Sequence, residues 1–156
     1  MQIKFFSPLL AVLLTVLTLS LTSCEMETHS NGQLDGFWQL HSIDTIANGK
    51  TVNMVSKRRF WSFQAKLLKT SDYTGTSATI LLRFQHDGDT LRLYDPVKYK
   101  ATITDPDGMD TPITDPSLLL PYGIPSLSSS FRILTLSSEW MILESNEEIR
   151  IRFRKF

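Results

Sequence analysis

One cysteine in 156 residues leaves Cys24 without a partner, so no disulfide within the chain can staple a fold. The three histidines, His29, His41 and His86, lack the close spacing of strong metal motifs. His29 stands in a polar linker and His86 in a turn, while His41 is either a polar pocket residue or a surface one. Asp105, Asp107 and Asp110 cluster around Gly108, but the glycine comes too early for a calcium loop and no Glu closes it. Turn chemistry accounts for them. Gly-x-Ser-x-Gly, phosphate-loop and paired-carboxylate patterns are missing, and no nucleophile stands beside a base. The expectation is a non-enzyme with no catalytic residue, metal or cofactor. Lys and Arg number 16 and so do Asp and Glu, which leaves no electrostatic footprint for nucleic acid. Long apolar runs occur once, at the N-terminus.

That run is Phe5 to Leu21, interrupted only by Ser, Thr and Pro8 and preceded by Lys4. A positive start, an apolar middle and a small-residue end are the parts of an export signal. A spanning helix needs about 20 apolar residues, and Pro8 with the polar Glu25-Met26-Glu27-Thr28 argues against one. Leu21-Thr22-Ser23-Cys24 matches the lipobox, and here the chain resembles bacterial lipoproteins. The resemblance implies a signal peptide over 1–23, acylation of Cys24 and a lipid anchor in the cell envelope, with the outer membrane expected and either face open. One acyl chain binds only marginally at about 0.8 kcal/mol per buried CH₂; the two or three of this class would hold permanently. Residues 24–33, polar and containing Asn31-Gly32, read as a lipidated tether.

From residue 34 the pattern has a period of two. Phe37, Trp38, Leu40 and Ile43 open it within Leu34 to Ile43. Trp61, Phe63, Ala65 and Leu67 alternate with polar residues, as do Ala78, Ile80, Leu82 and Phe84 with Leu81 the exception. His86-Asp87-Gly88-Asp89 reads as a hairpin turn before Leu91 and Leu93. Val97, Tyr99, Ala101 and Ile103 form a further run, and others follow at 131–136, 140–143 and 149–153. About eight strands with short connections predict an all-β, eight-stranded antiparallel up-and-down barrel over 34–156, a two-sheet sandwich being the rival. Between Thr104 and Ser130 prolines, glycines and two Thr-Asp-Pro triplets break the rhythm. One short helix fits there, with Asp115 as N-cap and Pro116 at its first position. Leu118, Leu119, Leu120 and Tyr122 need cover, and the economical place is across an open barrel end, as a lid loop.

Gly36-Phe37-Trp38 carries the Gly-x-Trp pattern of the lipocalin first strand. Together with the lipobox, the strand count, the Asp115 to Ile124 loop and the Arg-rich last strand, it resembles small lipocalin-like lipoproteins of bacteria with an outer membrane. The Thr-Asp-Tyr signature of late strands is absent; Ser71-Asp72-Tyr73 stands elsewhere. The resemblance implies that a late arginine packs over Trp38. Among Arg150, Arg152 and Arg154 the favoured one is Arg152, which with Gly36 and Trp38 would close the barrel. Arg150, Arg152, Arg154 and Lys155 with Glu139, Glu144, Glu147 and Glu148 suit cross-strand pairing, with lipid headgroups or an anionic partner as the other reading. The function expected is a membrane-anchored barrel that binds a small, mostly apolar ligand. Its pocket candidates are Trp61, Phe63, Ile80, Leu82, Phe84, Leu91, Leu93, Tyr99, Phe131 and Ile151. A barrel of this size is either filled by its own side chains or holds one small ligand. The second expectation is therefore a filled structural or interaction subunit that presents loops to an envelope protein; the pattern sets no oligomeric state.

Overall fold

The computed structural model describes residues 31–100, 108–146 and 148–156. Cys24, the export segment, Asp105 and Asp107 lie outside them. Ten strands form one antiparallel sheet: β1 (Gly36–Thr45), β2 (Lys50–Asn53), β3 (Arg59–Gln64), β4 (Leu67–Asp72), β5 (Ile80–Asp87), β6 (Thr90–Lys98), β7 (Thr111–Pro112), β8 (Ser129–Leu136), β9 (Trp140–Ser145) and β10 (Ile149–Lys155). Eight of them make the wall, in the order β1-β3-β4-β5-β6-β8-β9-β10, and β10 returns to pair with β1 from Trp38↔Lys155 to Thr45↔Ile149. Closure leaves the wall without an open edge. β2 extends the far half of β1, and β7 pairs the end of β6.

The strand count agrees with the sequence pattern, but two memberships differ. β4 was hidden because Gln64-Ala65-Lys66-Leu67 reads as continued alternation, whereas Ala65 turns the chain with φ 52° and no glycine, asparagine or aspartate to mark it. Val97 belongs to β6, which runs straight through Asp95-Pro96. Asp95 has φ 50°, and from Leu81↔Val97 to Arg83↔Tyr94 β6 takes three steps against two on β5. That extra residue is a bulge, and it flips every side chain beyond it to the other face.

Among the described residues the helical elements are three-residue 3₁₀ turns at Gly32–Leu34, Val55–Lys57, Pro116–Leu118 and Leu120–Tyr122. Asp115 caps the third as expected, accepting from Ser117 N at 2.9 Å with Pro116 next to it. At the β5–β6 corner Gly88, φ 58°, takes the first central position, the place a type II′ turn gives to glycine.

Inward residues from all eight wall strands merge into one apolar core. Leu34 closes the end where the chain comes in, and Leu119, Tyr122 and Ile124 close the other.

Candidate functional site

Nine of the pocket candidates, Trp61, Phe63, Ile80, Leu82, Phe84, Leu91, Leu93, Phe131 and Ile151, lie in this core, each at most 6% exposed. Their own rings take up the space. Trp61 lies 4.6 Å from Phe153 and 6.1 Å from both Phe131 and Phe63, ring centre to ring centre. Phe63 in turn meets Phe84 edge-on at 5.1 Å. Edge-to-face contacts at these separations fill a volume as well as hold it together. Tyr99 is the correction. The β6 bulge reverses the alternation after Leu93, so Tyr99 is 37% exposed, with Lys69 Nζ 5.3 Å from its ring centre.

At the incoming end, Trp38 donates from Nε1 to Leu34 O at 2.8 Å. The cation over its ring is Lys155, at 4.8 Å, and not Arg152. The β1–β10 register decides this, since Lys155 stands directly opposite Trp38 while Arg152 stands opposite Ser42 and pairs with Asp44 at 3.1 Å. Lys155 Nζ also donates to Gln33 O. Gly36 has φ 123°, a backbone that requires glycine, and a Cβ there would sit 2.9 Å from Lys155 Cε and push the end of that lysine aside.

The far end carries a plug. Leu119 and Tyr122 are fully buried, whereas Leu118 and Leu120 face solvent at 44% and 56% exposure. Tyr122 OH donates to Ala78 O at 2.7 Å, and Trp61 Nε1 donates to Tyr122 O at 3.2 Å. Arg59 reaches the plug from β3, its Nη1 donating to Pro121 O at 2.9 Å, its Nη2 to Ser77 Oγ, and its Nε lying 3.5 Å from Asp72. Burial pushes the Tyr122 hydroxyl up to about 12, against an opposing hydrogen bond with Thr70. Burial also opposes charge on Asp72, but hydrogen bonds from Thr74, Thr76 and Ser77 hold its carboxyl well below the usual range. A loop tied at so many points is a stopper rather than a mobile flap. Sequence reading missed Arg59 and Asp72, because neither residue sits in a pattern that announces burial.

With the interior filled, the concave surfaces lie outside. Above Leu93, β6 leaves β8 and pairs β7 instead, which parts the outer wall along a seam. There Tyr94, Asp95, Pro96, Val97, Pro112, Ile113, Leu127 and Ser128 line an open cleft of about 550 Å³, apolar for most of its lining. A groove of about 400 Å³ beside β8 and β9 is about half polar and includes Asp89, Arg132 and Glu144. Glu144 accepts from Arg132 at 2.6 Å and Arg150 at 2.8 Å, and these two cations, Arg132 first, lower its carboxyl below the usual range. Its charge is already matched. His41 leans on Trp140 at 5.3 Å, and His86, expected in the turn, stands instead near the end of β5 opposite Leu91, its ring contacting Gly88 O. No group of three or more metal-ligating side chains gathers among the described residues.

Residues 18–156 match the family model described as "Lipocalin-like domain". No curated protein matches the chain. Among solved structures it is similar to a lipocalin-like protein from Bacteroides uniformis ATCC 8492, with 21% identity and a TM-score of 0.58 over 80% of this chain and 100% of that one. An uncharacterized protein from Bacteroides eggerthii DSM 20697 is similar at 16% identity and TM-score 0.53, over 79% of this chain and 99% of the other. At such identities the two structures speak for the fold alone.

Proposed function

Because this chain belongs to the lipocalin-like domain family, a fold suited to ligand binding in general, we propose that it is a lipid-anchored binding module of the cell envelope, acylated at Cys24. Its ligand is small and mostly apolar, and it binds in the seam cleft between β6, β7 and the segment around Leu127 rather than in the barrel. The observation that carries this reading is the contrast between a filled interior and an apolar cleft of about 550 Å³ on the wall. Small-molecule sites usually measure about 300–1,000 Å³, with apolar walls and a few polar groups. Tyr94, Asp95 and Ser128 supply the polar groups here.

The test uses the chain from residue 25 onward, extracted with organic solvent for mass spectrometry and titrated with an environment-sensitive fatty probe. A co-purified apolar molecule or a saturating probe response is expected. Val97→Asp, which sets a charge in the cleft, should weaken that response about tenfold or more while leaving the melting temperature within a few degrees. A response untouched by Val97→Asp would place the ligand elsewhere. No molecule and no response would favour the second reading, an interaction subunit, for which the exposed Leu118 and Leu120 on the plug are the supporting observation.

A further inference from the structure

Outside the barrel, near the end where the chain comes in, four aromatic rings form a cluster that no core contact explains. Phe37 on β1 and Phe60 on β3 stack with ring centres 4.5 Å apart and planes at 7°. Tyr73 meets both edge-on, at 6.2 and 5.1 Å, and Phe156 does the same from the other side, at 6.2 and 5.6 Å. Phe60 is only 4% exposed although it points away from the core, because its three companions cover it. Tyr73 and Phe156 are themselves 58% and 82% exposed. A surface that uses two large rings to shelter two others, and then leaves the outer pair in water, has an unfinished side.

The chain's own path says what lies next to it. Phe156 N donates to Phe37 O at 2.8 Å and Lys155 Nζ donates to Gln33 O at 3.0 Å, so the cluster borders residues 33–37, where the chain joins the barrel. From Asn31 back to Cys24 is seven residues, a reach of at most about 25 Å even when fully extended. An acylated Cys24 therefore keeps this side of the barrel within a short distance of the bilayer. Tethering on that length raises the local concentration to the order of millimolar, enough for weak contacts to set an orientation.

The rim has the matching charge. Arg58 and Arg154 are exposed beside the rings, Arg58 5.9 Å from the Tyr73 ring centre and Arg154 directly opposite Gln39 on β1. Gln39, Ser62 and Ser71 fill the neighbouring outward positions on β1, β3 and β4. Of the acids nearby, Asp72 faces Arg59 and Asp35 accepts hydrogen bonds from Asn31, which leaves Glu139 as the exposed one. Aromatic rings with cations beside them suit the level of lipid headgroups, where rings find apolar cover and cations find anionic lipid.

We propose that the Phe37, Phe60, Tyr73 and Phe156 face is where the anchored barrel rests on the membrane, lying on its side with Tyr73 and Phe156 at headgroup depth. This rests on acylation of Cys24, which belongs to the function proposed above. The orientation leaves the 118–120 plug and the seam cleft away from the tether.

Full-length lipidated protein is reconstituted in vesicles of phosphatidylethanolamine with about a quarter phosphatidylglycerol, and Phe156→Trp serves as the reporter, read as the emission added over the wild type. In anchored protein the added emission should shift to the blue, lose roughly half its intensity to lipids brominated near the headgroup, and become about threefold less accessible to acrylamide than in detergent. Tyr73→Trp, a second reporter on the same face, should behave likewise. Protein that floats with the vesicles while both reporters stay open to acrylamide overturns the membrane face and leaves the anchor standing. Protein that fails to float overturns the anchor, and this face with it. Shielding from acrylamide without quenching by brominated lipid, in a species that cross-links as a dimer, also overturns the proposal, since a second copy would then be the occupant.

Discussion

Tyr122 concentrates several demands in one side chain. Its ring is buried, its hydroxyl donates to Ala78 O at 2.7 Å, and its carbonyl accepts from Trp61. The neutral hydroxyl is favoured in the folded state, with a pKa of about 12 against the ordinary 10. The folded chain thus keeps a proton that the unfolded chain gives up between those values, so the contribution is intact below pH 10 and is lost as pH rises toward 12. Tyr122→Phe removes the titration together with the hydrogen bond. Below pH 10 the wild type should be the more stable, by about 1 kcal/mol for the lost bond. Between pH 10 and 12 the difference should move by up to about 2 kcal/mol in favour of the Phe variant and so change sign, since a tenfold change in proton affinity is worth about 1.4 kcal/mol. Denaturant unfolding of both proteins at pH 8, 10 and 11.5 reads this directly, and a difference independent of pH would mean that the hydroxyl is not sealed from water. Lys155 shows the limit of residue-level reading. Four cations crowd the last strand, and which of them covers Trp38 depends on a pairing register that the bulge between Leu40 and Ser42 shifts by one. Alternation alone does not carry that shift.

Strands were legible where side chains follow a period of two and turns use glycine or aspartate, as from Ile80 to Leu93 around Gly88. Asp115 and Pro116 likewise announced the turn they make. What escaped was geometry made by ordinary residues. Ala65 at φ 52° separates β3 from β4, and Asp95 at φ 50° keeps β6 in one piece while reversing its face. Ala65 spends a left-handed backbone on a residue that does not advertise one, whereas Asp95 is a residue that tolerates it but stands in an Asp-Pro pair that reads as a turn ending the strand. The Asp95 bulge shapes the proposed site, because it turns Val97 outward into the seam cleft and Tyr99 out of the pocket that alternation gave it. Asp95→Val should lower stability by about 1–2 kcal/mol, the cost of a bulky residue in that conformation, whereas Asp95→Gly should stay within about 1 kcal/mol of the wild type. Urea midpoints at unchanged slope test the pair. Equal losses for Val and Gly would show that the aspartate side chain, and not the backbone angle, holds the bulge.

At the scale of the whole molecule, one closed wall surrounds one continuous core, stoppered by Leu34 at one end and by Leu119, Tyr122 and Ile124 at the other. The centre of the barrel is taken up by Trp61, Phe131 and Phe153. On the function proposed above, binding and stability are thereby separated, with the core spent on folding and the outer wall left for contacts. Phe131→Ala makes that separation measurable. A phenylalanine removed from a packed core costs about 3–5 kcal/mol, because its neighbours relax only in part and leave a void. The variant should unfold at correspondingly lower denaturant and stay folded at low temperature. Its apolar void should admit a small hydrocarbon such as benzene, seen as a rise in melting temperature that the wild type does not show. Affinity of the fatty probe for the seam cleft should stay as it was, since Phe131 does not line it. A loss under about 1 kcal/mol would mean that Phe131 had space around it in the native protein, and a probe response abolished by Phe131→Ala would move the ligand site from the wall back into the barrel.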